Sequence, residues 1–361
     1  MHMNRHNNTR QSGLSLVEMM IAITLGLIIM AGLTTILVSN SRARNEVERA
    51  NRQIENGRYA LQMLADDLRL AGYLAEFNPN TLADPAALPV PCATALADLV
   101  NNLPLHVQGV DNVTSTTPLS CLSDVKTGTD ILIVRRASTC VPGVAGCAAV
   151  IAGAPYFQAS LCSAEFNRAP VGATAAVARD NQFKLETAIA NLNVFPPALR
   201  KGNCANANTI ADIHRYLTHI YFVANNDQAG DGIPTLKRWE LDAIPRIVPL
   251  VEGIEDFQVE YGIDNAPATA GNGVPDEFTS TPSSITAWRQ VVLAKVFLLA
   301  RNTESTAGFV DRKTYTMNSD GTQTNPCNGF SGNQLTTCQS FRRHAYQSTV
   351  RLNNPAGRRT P

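Results

Sequence analysis

The sequence predicts an α+β fold: a long N-terminal α-helix, one half transmembrane and the other amphipathic, packed on an antiparallel β-sheet head. Two patterns carry that expectation. From Leu14 to Ala71 the residues suit one helix, first almost uncharged and then apolar on one face only. Beyond residue 128 the strongest patterns are short β-branched and aromatic segments, several alternating with period two.

Composition bounds the function. The chain has 361 residues, 30 Lys+Arg against 30 Asp+Glu and 44% hydrophobic residues, a length that suits about two domains. Only one stretch lacks charge for long enough to cross a bilayer, so a polytopic membrane protein is excluded. Zero net charge gives no global attraction to phosphate, which argues against nucleic-acid binding through bulk charge. Eight cysteines are too sparse for a disulfide scaffold, so an apolar core must carry the folding.

Residues 1–13 form a basic leader, with Arg5 and Arg10 and no acidic residue. Met19 to Val38 then gives 20 consecutive uncharged residues. As a helix rising ~1.5 Å per residue, that run matches the hydrocarbon thickness of a bilayer. The two arginines keep the leader cytoplasmic and send Ser39 to Pro361 across. A secretory signal peptide would end in a small-residue cleavage pattern, which residues 38–42 offer only poorly. A plain anchor has no use for Glu18, since a charge within a membrane helix costs roughly 2.5–3.5 kcal/mol on the lenient insertion scale.

The run Gly13-Leu14-Ser15-Leu16-Val17-Glu18, ahead of an uninterrupted apolar helix, resembles the class III signal of type IV pilins and pseudopilins. The resemblance implies cleavage between Gly13 and Leu14 by a prepilin peptidase and methylation of the new amino terminus. Leu14 stands where the family usually has Phe, a conservative change in apolar volume. Glu18 becomes the fifth mature residue, and its carboxylate pairs with the terminal ammonium of a neighbouring subunit when helices bundle. The implied division is a cleaved leader (1–13), a transmembrane and filament-core helix (14–38), an amphipathic helix continuing into the head (39–74) and a periplasmic α+β head with loop-rich insertions (75–361).

Residues 39–74 carry six Arg and five acidic residues, yet the helical pattern continues. Val47, Ala50, Ile54, Gly57, Leu61, Leu64, Leu68 and Ala71 alternate spacings of three and four. That seam suits a coiled coil or, better given Gly57, the packing face of the helix on its own domain. Gly72 should end the helix. Segments 129–134, 215–224, 235–241, 257–261, 291–300 and 345–352 read as strands. Residues 75–128 and 137–212, rich in Ala, Pro, Asn and Thr, read as long loops or decorated insertions.

Three blocks sharpen the resemblance. Glu55-Asn56-Gly57-Arg58-Tyr59-Ala60-Leu61 with Leu64 to Tyr73, Leu250 to Gly262, and Arg342 to Leu352 are similar to the PilW family of type IV pilus minor pilins. The J-type minor pseudopilin of type II secretion shares the amino-terminal features, while the late blocks favour PilW. The implied function is pilus assembly, in a priming complex or at the pilus tip. The implied partners are other minor pilins, the major pilin, the prepilin peptidase and the inner-membrane assembly machinery. The implied location is the inner membrane as a single-pass protein with a periplasmic head, reaching the pilus tip after incorporation. An adhesive or DNA-binding tip module is the alternative of another class, carried by the unmatched insertions.

All eight cysteines follow the membrane segment, where disulfides persist, and eight permit 105 pairings. The short loops Cys140 to Cys147 and Cys327 to Cys338 are the expected local pairs, worth roughly 2–3 kcal/mol each by loop entropy. Asp264, Asn272, Asp276 and Glu277 interleave oxygen side chains with glycine, as a calcium loop does, although a hairpin turn explains the same residues. No other cofactor is expected. Neither a nucleophile elbow, a zinc-protease helix, a phosphate loop nor a dinucleotide fingerprint occurs, so no enzymatic activity is expected.

Overall fold

The computed structural model describes residues 13, 15–166, 172–179, 181–193, 199–202, 204, 210–266 and 271–359. Leu14 and the leader residues 1–12 lie outside the described residues. Two compact units form, Met1–Asn51 and Arg52–Pro361. The first contains the apolar part of helix α1 (Leu16–Leu70). Between Leu16 and Val38 its large side chains are exposed on every side, from Leu16 at 76% to Val38 at 44%. A helix apolar all round needs an apolar medium. Its hydroxyls make no demand on that medium, because Thr24, Thr34 and Thr35 each donate to a carbonyl three or four residues back at 2.7–3.0 Å.

The second unit is built on strands that pair antiparallel throughout. They are β1 (Val107–Val110), β2 (Ile131–Ala137), β3 (Tyr156–Ala159), β4 (Phe183–Glu186), β5 (Ile213–Ala224), β6 (Thr235–Glu240), β7 (Arg246–Glu252), β8 (Ile254–Ile263), β9 (Glu277–Thr279), β10 (Val291–Arg301), β11 (Tyr315–Thr316), β12 (Gln323–Thr324) and β13 (Arg343–Arg351). A seven-stranded sheet centres on β5, whose twelve residues pair with β2 along one side and with β3 and then β6 along the other, β7 following β6. A four-stranded sheet runs β13-β10-β8-β9. All six expected strands are present among these.

Period-two alternation sorts the side chains of the larger sheet into two cores. Leu132, Val134, Tyr221 and Val223 face the core shared with the end of α1 and with β8 and β10. Ile131, Ile133, Ile220 and Phe222 face a second core with Phe77, Leu99, Phe157 and Phe183. The stretches 75–128 and 137–212 are therefore more than loops. They contribute β1, β3, β4 and helix Leu96–Asn102, and they cover the face of the sheet that α1 leaves open. That cover explains why β2 is buried on both faces.

α1 stops where the sequence places the stop. Gly72 takes φ +71°, and a Cβ there would meet the His106 side chain at 2.8 Å. The last carbonyls are capped by the carboxyl-terminal segment: Asn354 Nδ2 donates to Ala71 O at 3.2 Å and Arg358 Nη2 to Gly72 O at 2.9 Å.

Candidate assembly site and its supporting contacts

Gly13 is exposed. Leu14, the other residue of the expected cleavage site, is outside the described residues. Two residues further on, Ser15 N–H donates to Glu18 Oε2 at 3.0 Å, and Ser15 O accepts from Met19 N at 3.1 Å. Glu18 thus satisfies one of the orphan N–H groups at the start of α1, as the glutamate of a capping box does. It also places negative charge at the positive end of the helix dipole.

The sheet-facing side of α1 departs from the expected seam. Its buried residues are Gln53, Gly57, Ala60, Leu64, Ala65, Asp67 and Leu68, whereas Val47 and Ile54 are 60% and 45% exposed. Small residues decide the difference. A Cβ on Gly57 would fall inside the Tyr346 ring of β13, so the absence of a side chain is what lets helix and sheet approach. Gln53 Nε2 donates to Ala300 O at 2.7 Å and to Arg342 O at 3.0 Å, joining the helix to β10 and to the residue just before β13.

Asp67 is the charged centre of this contact. Its carboxylate accepts from Arg136 Nε at 2.7 Å and from Tyr221 O–H at 2.8 Å, and lies 2.7 Å from His219 Nδ1. Burial by itself would raise the carboxyl, but His219 and Arg136 outweigh it and hold Asp67 well below the usual carboxylate range. Asp67 stands three positions after Leu64 and one before Leu68, directly beside the exposed Asp66. The partners come from β2 and β5, 69 and more residues away, so no local signal marks it.

All eight cysteines are paired: Cys92–Cys121, Cys140–Cys147, Cys162–Cys204 and Cys327–Cys338, with Cα–Cα separations of 5.8, 5.6, 5.1 and 5.8 Å. The last pair is tied into the sheet. Fully buried Arg343 binds the Glu255 carboxylate, reaches Asp311 Oδ2 at 3.2 Å and donates to Cys338 O at 3.0 Å.

Two glycine-rich turns, one around Asp231 and the one with Asp264, Asn272, Asp276 and Glu277, bind their own acidic side chains. Asp231 accepts from the N–H groups of Asp227, Gln228 and Ile233 at 2.8–3.1 Å. In the second turn Asp264 accepts from Gly273 N at 2.7 Å and from Arg359 Nε at 2.9 Å. Asp276 accepts from Asn265 N and Ala266 N, Glu277 accepts from Asn265 Nδ2, and the Asn272 side-chain oxygen accepts from Val274 N. Among the described residues no group of three or more His, Cys, Asp or Glu is arranged to hold a metal ion. The basic pairs near the end of the chain are also engaged within the fold, since Arg343, Arg358 and Arg359 bind Glu255, Gly72 O and Asp264.

The chain thus combines a helix apolar on every side, preceded by Gly13 and begun with a capping glutamate, with an α+β sheet unit, and two family models match parts of it. Residues 8–34 match the family model described as Prokaryotic N-terminal methylation motif. Residues 220–354, from β5 to the helix after β13, match the model described as Type IV Pilus-assembly protein W. The two matches support a PilW-type pilin with a prepilin-like signal, and among the described residues one helix, α1, is long and apolar enough to cross a membrane. No curated protein and no solved structure matches it.

Proposed function

We propose that the protein is a minor pilin, cut between Gly13 and Leu14, methylated at the new amino terminus, and recruited with other pilins into a priming complex or the pilus tip. In this reading residues 14–38 hold it in the inner membrane and the sheet unit is periplasmic. The observation that carries the reading is the first half of α1, exposed and apolar on all sides with Glu18 at its start. Such a surface is neutral toward lipid and toward other apolar helices, so the carboxylate supplies the selection. Alone in the membrane Glu18 is costly, and a partner's terminal ammonium offsets that cost only in the right axial register. The match of residues 220–354 to a pilus-assembly family favours the pilus over type II secretion. The reading requires no turnover, and the sheet unit serves to present the helix.

Amino-terminal sequencing of the membrane-associated protein tests the processing, with methylated Leu14 as the expected start. A start near Arg42 would replace the reading with ordinary secretion. Glu18→Ala should be processed and membrane-inserted normally but be depleted from sheared pili and from detergent-extracted pilin complexes. Wild-type incorporation of that variant would remove the carboxylate from the mechanism.

A further inference from the structure

Within the second unit lies an open groove of about 690 Å³, part of whose lining is exposed polar and aromatic side chains. One wall is helix Gly332–Gln339, which presents Asn333, Gln334 and Thr337, all exposed. Asn328 and Phe330 belong to the loop before it, and Phe330 is 48% exposed. Across the groove lie Lys126, Thr127 and Asn225.

The chemistry of this lining is selective. Asn328, Asn333 and Gln334 have no side-chain hydrogen bond among the described residues, so three amides offer both donors and acceptors to the groove. The lining includes no Leu, Ile, Val or Met among the described residues, which removes the aliphatic anchors that peptides and lipids use. Aromatic surface is nevertheless present. Phe330 is open, and Phe341 carries the Arg301 guanidinium 4.0 Å from its ring centre.

Charge narrows the choice further. Arg301 lies 3.5 Å from Glu255, which also binds Arg343, so the groove is not a phosphate track. Several side-chain amides beside an exposed aromatic face, with little net charge, supply the donors, acceptors and stacking surface that a pyranose ring uses. The wall is also preorganised. Cys327–Cys338 closes the loop, and Arg343 pins Cys338 O at 3.0 Å.

We propose that this groove binds a neutral glycan, with one sugar ring on Phe330 and its hydroxyls on Asn328, Asn333 and Gln334. The test uses the full-length protein in detergent micelles on an array of cello-, chito- and galacto-oligosaccharides, followed by calorimetry with the strongest binder. At least one oligosaccharide should bind, and Phe330→Ala and Gln334→Ala should each weaken it by about tenfold with unchanged thermal unfolding. Both side chains are exposed, so neither change endangers the fold. An array without a bound member overturns the proposal, as does binding unaffected by both substitutions. Salt-dependent capture of a single-stranded oligonucleotide in place of any sugar would also overturn it.

Discussion

Replacing Asp67 by Asn keeps the shape of the side chain and removes its charge. At neutral pH the wild-type carboxylate is 6% exposed and satisfies Arg136, His219 and Tyr221 together. The variant leaves the Arg136 guanidinium, 15% exposed, without its counter-charge and gives one neighbour a donor facing a donor. Breaking a buried pair from one side costs about 3–5 kcal/mol, and the partial exposure of Arg136 places this case near 3. For a unit of this size that corresponds to a melting temperature roughly 5 °C lower. The assay is thermal unfolding in detergent followed by tryptophan fluorescence, because Trp239 and Trp288 are only 4% and 3% exposed and both report on the sheet unit. The pH dependence has a definite sign. A carboxyl held below its unfolded value stabilises above about pH 4 and loses that contribution as pH falls toward its folded pKa. The gap between wild type and variant should therefore be full at pH 7 and narrow as pH drops below 4. A variant melting within about 1 °C of wild type at pH 7 would refute the view that this carboxylate fastens α1 to the sheet.

Two other perturbations separate competing effects. Gly57→Ala should raise intrinsic helix propensity by ~1 kcal/mol yet destabilise the protein by about 1–2 kcal/mol, because the methyl falls inside the Tyr346 ring. In a Tyr346→Ala background the same substitution should become stabilising, and urea unfolding of the four proteins would show the reversal or its absence. Burial, with smaller help from Asp111 and Asp256, pushes the Asp130 carboxyl up to about 7 against the opposing N–H groups of Asn112 and Val259. Its folded value lies above its unfolded one, so stability should fall by about 1 kcal/mol as pH rises from 6.5 to 8. Below pH 6.5, His106, held neutral by burial at about 3, works the other way, which makes the higher window the clean one. A melting temperature that climbs from pH 6.5 to 8 would contradict the assignment.

The amino-acid sequence by itself determined what depends on near neighbours. The length and apolarity of the first helix, its glycine stop at Gly72, the six alternating strands and the prepilin-like signal are all local patterns. Strand β7 escaped because Pro249 argues against a strand. The structure admits it as an edge strand that pairs, among the described residues, with β6 alone, with a register shift beside Leu236 and Lys237. The short strands β3 and β4 escaped because four residues are too few to show a period.

Tertiary structure alone decided the rest. It turned the apparent insertions into the cover of a second core and chose one disulfide pairing out of 105. It also made Asp67, indistinguishable in sequence from its exposed neighbour Asp66, into the charged join between helix and sheet. The reason is physical. Helix and strand propensities act over a few residues, whereas the worth of a buried charge depends on partners that the chain delivers from 69 to 154 residues away.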